Sequence, residues 1–432
     1  MTSIPARPRA LKIAGVGTPA PYALVAAYLV ASLIGLLLAT LATAAAAGDV
    51  ARGAFASPDV LLAVHLFALA FLPLAVGGAA LHVLPLVLRG TASNRRAWIA
   101  FALLVPSPLL AVGVARHHEL LAWTAGLAVT AGLALVLGEA VRLVVVAPRG
   151  RIVVVSRFGV VASATHAALG FLLGTLLFSI RWRPWAGIPH DRLIAIHLHL
   201  TLIGAVTLLI LTVGRTLVPM LAVAPTAPKR RFPVEEITLT AGLWMSIGGF
   251  ALGQRWAVAL GGAVVVVAVG RFLVLIVRTL RSRRVAAIEG PLLHALTGIV
   301  FLVQATVLGV VLLSRPGDGR VATAYALTIV VGWGVGVTVG HVGKLLSLSA
   351  WVWWPPGPRP KQAAHYNRGT WAAEAVAFFV GVELLVDAAM SGSTVVAHLG
   401  GGALVLAAVL ALTGAAQTMS SATSTTHRGE RA

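Results

Sequence analysis

The chain has 432 residues, of which 59% are hydrophobic and only 11% are charged, and its mean hydropathy is +0.94. Soluble domains carry about 25% charged residues, so this composition excludes a soluble protein and indicates a polytopic membrane protein. Cysteine is absent, which excludes disulfides, thiolate metal sites, iron–sulfur clusters and covalently attached haem. Any metal or haem must therefore be held by histidine, methionine, tyrosine or carboxylate side chains.

The apolar stretches of the chain predict its membrane spans. A helix needs about 20 apolar residues to cross a bilayer, and the sequence contains twelve such stretches. They cover residues 21–47, 58–88, 96–115, 119–147, 155–180, 191–222, 236–252, 256–280, 287–313, 320–348, 370–390 and 393–416. We therefore predict an all-α, twelve-helix membrane domain over residues 21–416, between an N-terminal tail (1–20) and a polar C-terminal tail (417–432). The N-terminal tail lacks the apolar core of a cleavable signal peptide.

The distribution of positive charge predicts the orientation of these spans. The formal net charge is +20, but loops that follow odd-numbered spans hold only eight of the 33 lysines and arginines. The other twenty-five lie on or near the opposite side, which by the positive-inside rule predicts that both termini are cytoplasmic and that the chain is a multi-pass protein of the cell membrane. The rule also accounts for the net charge, so the expected partner is the lipid bilayer, and no nucleic acid is expected.

Spans 2 and 6 resemble each other. Span 2 contains "HLFALAFLPLAVGGAALHVLP", from His65 to Pro85, and span 6 contains "HLTLIGAVTLLILTVGRTLVP", from His199 to Pro219. Both segments run from a histidine to a proline twenty residues later, at an offset of 134 residues. A fixed offset between similar segments is the signature of an internal repeat.

Spans 5 and 9 show a similar correspondence. The segment "HAALG" at His166 matches "HALTG" at His294 at an offset of 128, and the same offset carries His197 onto Tyr325. We therefore predict three pseudo-symmetric four-helix units, over residues 21–147, 155–280 and 287–416. Chance similarity among helices rich in leucine, valine and alanine is the alternative.

Three intramembrane histidines are the first candidates for a cofactor site. Ionisable groups are costly in lipid, so His65, His197 and His199 each suggest a function. All three lie in the predicted outer half of the membrane. His197 and His199 are about 200° apart around a helix and cannot chelate one ion together. Two explanations remain open: the two sides of span 6 face cofactors, or both rings hydrogen-bond to neighbouring helices.

The pattern of spans and histidines resembles the catalytic subunit of the haem–copper oxidase superfamily. The resemblance rests on the twelve spans, on "HLHLTLIGAVTLLILTVGRTLVP" in span 6 and on "AYALTIVVGWGVGVTVGHVGKLLSLSAW" in span 10. It is greatest to uncharacterised bacterial relatives of terminal oxidases and nitric oxide reductases. The resemblance implies a b-type haem held by axial histidines, with His65 as the first ligand and His199 or His197 as the second.

The chain departs from this family at its copper site. The family carries its His-x-His pair on span 10, where this chain has Tyr325. The family's copper is bound by a histidine of span 6 and two adjacent histidines of span 7, but span 7 here has no histidine. The usual copper centre is therefore not expected. A copper or haem site built differently, with His166 or His294, remains open.

Three functions follow from these observations. The first is a membrane haem protein that transfers electrons from a donor protein or a quinol, or that handles oxygen or nitric oxide. Ligation by two imidazoles would favour electron transfer, because it leaves no open position on the iron. The second is an outer-leaflet copper site formed by His65, His197, His199 and His398. The third is a transporter without a prosthetic group.

Acidic residues in the spans suggest a route for protons. Glu374, Glu383 and Asp387 all lie in span 11. Glu383 and Asp387 share a helix face and could serve a proton path or act as oxygen ligands of a metal. Solvation near the helix ends is the expected alternative for Glu374 and Asp387, which leaves Glu383, with Tyr325 of span 10, as the candidate proton path. In span 4, Glu139 and Arg142 are three residues apart and are expected to form an ion pair.

Overall fold

The computed structural model describes residues 18–147, 156–180, 185–225, 233–284, 290–353 and 366–429. These residues are almost entirely helical, and the described part of the chain forms no β-sheet. Most of the predicted N-terminal tail and several cationic loops lie outside the described residues. The prediction of an all-helical membrane protein is confirmed.

The described helices follow the predicted spans in order, and we number them α1 to α12 accordingly. Their bounds are Tyr22–Ala45, Pro58–Leu88, Asn94–Ala115, Glu119–Val146, Arg157–Ile180, His190–Met220, Val234–Leu252, Arg255–Arg281, Gly290–Ser314, Gly319–Val352, Arg368–Ser391 and Thr394–Gly429. Ten of these described helices are long and apolar enough to cross a membrane. The other two, α7 and α11, carry acidic residues, and the count of twelve spans therefore stays a prediction.

Helix α12 extends further than predicted. It continues to Gly429, so most of the predicted C-terminal tail is helical. Hydroxyl groups in this extension donate to carbonyls of the preceding turn: Thr418 Oγ1 lies 2.9 Å from the Gly414 oxygen and Ser420 Oγ lies 3.1 Å from the Gln417 oxygen. The extension contains no proline, and nothing in its sequence stops the helix.

Local sequence signals set several helix ends. Ser57 caps α2 by accepting a hydrogen bond from the Val60 amide, and Pro58 occupies the first helical position, where its missing N–H costs nothing. Asp318 caps α10. Helix α11 ends at Gly392, whose φ of +83° is accessible to glycine at little cost, and α12 begins two residues later. These caps form hydrogen bonds with backbone groups at the helix ends, for which lipid offers no hydrogen-bonding partners.

Three helices contain a π-helical segment in their predicted outer half. The segments are Leu66–Phe71 in α2, His199–Thr207 in α6 and Leu327–Val335 in α10. The segments of α6 and α10 begin 128 residues apart, which is the offset of the predicted repeat. π-Helical turns are rare and are frequently found at functional sites.

Helix α10 lies at the centre of the bundle. In its most apolar stretch 78% of the residues are buried, against 22% in α4, α5 and α9. Its π segment contacts those of α2 and α6. The indole of Trp333 in α10 donates a hydrogen bond of 3.0 Å to Thr207 Oγ1 in α6. The three π segments thus form the core around which the other helices pack.

The predicted pair within α4 is confirmed. Arg142 Nε lies 2.9 Å from Glu139 Oε2, and the Ser93 amide donates to Glu139 Oε1 over 2.9 Å. The carboxylate therefore fixes both a neighbouring arginine and the start of α3.

Candidate cofactor site

An elongated cavity of about 780 Å³ runs along α2 and α6. Its walls come from these two helices and from α4, α5 and α10, and nearly all of the lining side chains are apolar. Its volume falls within the range of about 300–1,000 Å³ that is typical of small-molecule and cofactor sites. A cavity of this kind is the first place to look for a bound cofactor.

Two of the predicted histidines line this cavity. They are His65 of α2 and His197 of α6, and they lie close enough for their charges to interact. His65 Nδ1 donates to the Leu61 oxygen over 2.7 Å, and His197 Nδ1 donates to the Gly170 oxygen over 2.9 Å. Each donation leaves a lone pair on Nε2. Metal-ligating histidines are held in this way, with the second ring nitrogen bound to a carbonyl or carboxylate.

Helix α5 makes room for the His197 ring at a glycine. A Cβ atom added at Gly174 would lie 2.9 Å from His197 Cε1, which is closer than real Cβ contacts. The carbonyl that accepts from His197 belongs to Gly170, one turn earlier on α5. This contact cannot be recognised from the sequence alone, because the chain has 45 glycines and they are scattered.

His199 points to the other side of α6. Its Nδ1 donates to the Ala195 oxygen over 2.7 Å, and its ring lies 4.8 Å from the Phe250 ring of α7, between centroids. It is not among the described residues that line the cavity. The two histidines of span 6 therefore lie on different sides of the helix, and the structure brings His65 together with His197.

The other candidate metal ligands are dispersed. Nδ1 of His166 in α5 lies 3.2 Å from the Gly204 oxygen of α6, and the His166 ring packs beside Trp244. His398 is exposed on α12 and donates to the oxygen of Thr394 within its own helix. Within the described ranges, no group of three or more histidines and carboxylates could hold a metal ion.

The third candidate, His294 of α9, belongs to a separate buried cluster. Its Nδ1 lies 2.6 Å from Glu374 Oε2 of α11, and both side chains are at most 1% exposed. The expectation that Glu374 is solvated is wrong. It lies in the second turn of α11, on the face that packs against α9, and sequence alone did not reveal that face.

The predicted proton-path residues both pack against α9. Glu383 Oε2 accepts a hydrogen bond of 3.1 Å from Gln304 Nε2 of α9. The Tyr325 ring lies beside Gly309, also of α9, where an added Cβ would be 3.3 Å from Tyr325 Cε2. Neither Glu383 nor Tyr325 is among the described residues that line the cavity. Their role as a proton path stays a prediction.

The cavity reaches the outer surface of the bundle between α4 and α5. Its lining includes Leu127 of α4 and Leu172 of α5, which are 72% and 62% exposed. The rings of Trp123 and Phe178, 6.1 Å apart between centroids, also line this opening. In a membrane this surface of the bundle faces lipid.

Comparisons with known proteins support the fold. No family model and no curated protein matches the sequence. A solved structure described as a heme-copper terminal oxidase dimer is similar over 92% of this chain and 84% of that chain, with a TM-score of 0.50 and 12% identity. Identity this low shows the fold alone. The chain therefore has an oxidase-like, multi-pass helical membrane fold.

Proposed function

We propose that this chain is an integral membrane haem protein that binds b-type haem in the cavity between His65 and His197 and transfers electrons. One observation carries the proposal. Two imidazoles from different helices line one apolar cavity, and each is held through Nδ1 so that Nε2 is available as a ligand. His197, rather than His199, is the proposed partner of His65.

The residues present fit a b-type haem. Neutral imidazole is an axial ligand of haem iron, and the apolar lining suits the face of a macrocycle. A bound haem would supply one-electron chemistry at its iron. Ligation by both histidines would leave no position on the iron for oxygen or nitric oxide, which favours electron transfer.

The protein's own groups prepare the site. The carbonyls of Leu61 and Gly170 fix the orientation and tautomer of the two rings. The apolar walls exclude water, which strengthens electrostatic interactions inside the cavity. The glycine at 174 keeps the His197 ring in place against α5.

We propose a membrane-soluble quinol as the electron donor. The supporting observation is the opening between α4 and α5, whose lining includes the lipid-facing Leu127 and Leu172. A soluble donor protein would not need that opening.

The finer points of architecture belong to the same proposal. Twelve spans in three repeated units, with both termini in the cytoplasm, agree with the arginine and lysine distribution. The matched offset of the π segments in α6 and α10 supports the repeat.

The test is a reduced-minus-oxidised visible spectrum of the full chain, purified in mild detergent after expression with ample haem. We expect the absorbance bands of a b-type haem, abolished by His65→Ala and by His197→Ala. His199→Ala is the matched control, because it removes the same side chain two residues away, and it should retain the bands.

Other outcomes would contradict the proposal in distinct ways. Loss of the bands in the His199 variant but not in the His197 variant would assign the second ligand to His199. Retention of haem without His197 would indicate ligation by one histidine, which favours chemistry of small gases. A colourless protein would exclude the haem site, and metal analysis of that sample would then test for copper.

A further inference from the structure

A second polar cluster lies in the predicted cytoplasmic half of the bundle, away from His65 and His197. It comprises His294 of α9, His341 of α10 and Glu374 of α11, which we call the inner cluster. Helix α9 packs against both α10 and α11. Nothing in the proposed haem chemistry uses these three residues.

The His294–Glu374 pair is closed off from lipid and solvent. The exposed fractions are 1% for His294 and 0% for Glu374. The ring of Phe378, one turn after Glu374, covers the His294 ring at a centroid distance of 4.7 Å. In the described part of the chain, the Glu374 carboxylate forms its ion pair with the His294 ring. No arginine or lysine of the described chain neutralises this carboxylate.

This isolation determines how many protons the pair holds. A lone carboxylate in a low-dielectric interior is strongly disfavoured unless it is neutralised. With one added proton the pair has zero net charge, whether the proton resides on Glu374 or on the imidazole. The 2.6 Å separation of Nδ1 and Oε2 lets that proton be shared within one hydrogen bond.

Three atoms of the inner cluster are buried without a hydrogen-bond partner in the described part of the chain. They are His294 Nε2, Glu374 Oε1 and His341 Nε2. Buried polar atoms are nearly always satisfied, so several at one place indicate a ligand or a transferable proton. The described residues form no three-ligand metal group, and a shared proton fits the imidazole and carboxyl atoms at this place.

His341 connects this cluster to the cavity. It lines the cavity together with Thr338 and Val342, and it lies close enough to His294 for their charges to interact. Its Nδ1 donates to the Val337 oxygen over 2.6 Å, so Nε2 carries a lone pair that can accept a proton. His341 therefore faces the cavity on one side and the His294–Glu374 pair on the other.

We propose that the inner cluster is a proton-holding site, in which the His294–Glu374 pair stores one exchangeable proton and His341 passes it to and from the cavity. The transfer is balanced: the proton leaves Nε2 of protonated His341 and binds the pair, whose net charge rises from one negative charge to zero. Only N–H and O–H bonds change. The link to an electron in the cavity rests on the proposed haem function, whereas the storage of a proton does not.

Infrared spectroscopy of the purified full chain tests the storage directly. A titration between pH 5 and 9, in H₂O and in D₂O, should show a buried carboxyl signal that shifts on deuteration and is absent from Glu374→Gln. Asp387→Asn is the matched control, because it removes an exposed carboxylate from the same helix and should retain the signal. Identical spectra of the parent chain and Glu374→Gln would overturn the proposal.

His341→Phe tests the route and covers the case in which Glu374→Gln fails to fold. We expect the carboxyl signal to persist in this variant but to exchange with D₂O at least tenfold more slowly. Unchanged exchange would overturn the role of His341. If haem is bound, its midpoint potential should fall with pH, by about 59 mV per pH unit for one proton per electron, and Glu374→Gln should flatten that slope. A protein without haem would refute the proposed function while leaving the infrared test intact.

Discussion

The cavity histidines and the inner cluster use the same side chain for different chemistry. At His65 and His197, Nδ1 donates to a backbone carbonyl, and each ring lines an apolar cavity in which Nε2 is available to a metal. At His294, Nδ1 meets the carboxylate of Glu374, so the ring shares a proton. The comparison teaches that the surroundings of an intramembrane imidazole, an apolar cavity at His65 and His197 and a buried carboxylate at His294, determine what the ring can do.

The largest expected effect separates the two regions by haem content. Replacing His197 with alanine should lower the haem-to-protein ratio more than tenfold, because it removes a direct ligand. Replacing His294 with alanine should leave the ratio within about twofold, since that ring lies outside the cavity wall. The measurement is haem absorbance per mole of folded protein. Equal losses of haem in both variants would show that the two regions form a single site.

The inner cluster should show the stronger energetic coupling. Glu374→Ala leaves the His294 ring buried without its partner, at an expected cost of about 1–3 kcal/mol in the free energy of unfolding. The double variant with His294→Ala should lose less than the sum of the two single changes, by about 0.5–3 kcal/mol. Thermal or denaturant unfolding in detergent gives these values, and additive losses would show that the pair contributes no mutual stabilisation.

A glycine beside the cavity provides a smaller and local test. Gly174→Ala places a methyl group 2.9 Å from His197 Cε1 and should displace the ring. We expect haem affinity to fall by about 10–100-fold, as it does when a group that orients a metal ligand is changed. Gly262→Ala on α8 is the control, because an added Cβ there has nothing within 4 Å. The haem affinities of the two variants, measured by titration, should differ. Equal affinities would show that the His197 ring is not held tightly against α5.

The smallest expected effect concerns the contact between the helices that carry the two regions. Trp333→Phe removes the hydrogen bond to Thr207 that joins α10 to α6. Loss of stability should be about 0.5–1.5 kcal/mol, with haem content retained. Thr207→Val removes the acceptor of the same hydrogen bond, so the two variants should lose similar free energies of unfolding. A large drop in haem content in either variant would show that this contact also shapes the cavity.

Much of the fold was predictable because lipid imposes simple rules. Each described helix begins within three residues of its predicted start, since long apolar stretches are the dominant signal. The separation of His197 and His199 to different sides of α6 followed from helix geometry alone.

The rotation of each helix about its axis was not predictable. In a bundle surrounded by lipid both faces of a helix are apolar, so the pattern that orients a helix in a soluble protein is weak. For that reason the sequence left open whether His199 or His197 is the partner of His65, and solvation near a helix end was the expectation for Glu374. The π segments could not be predicted either, because no residue pattern indicates them.

The acidic helix α11 has a consequence for how the chain enters the membrane. It carries Glu374, Glu383 and Asp387 and is not among the ten described helices that are apolar enough to span alone. During insertion a charged residue near a helix centre costs about 2.5–3.5 kcal/mol. The tight turn at Gly392 joins α11 directly to the apolar α12. If α11 spans the bilayer as predicted, we expect its insertion to depend on this hairpin with α12, and α9 then supplies partners for Glu374 and Glu383.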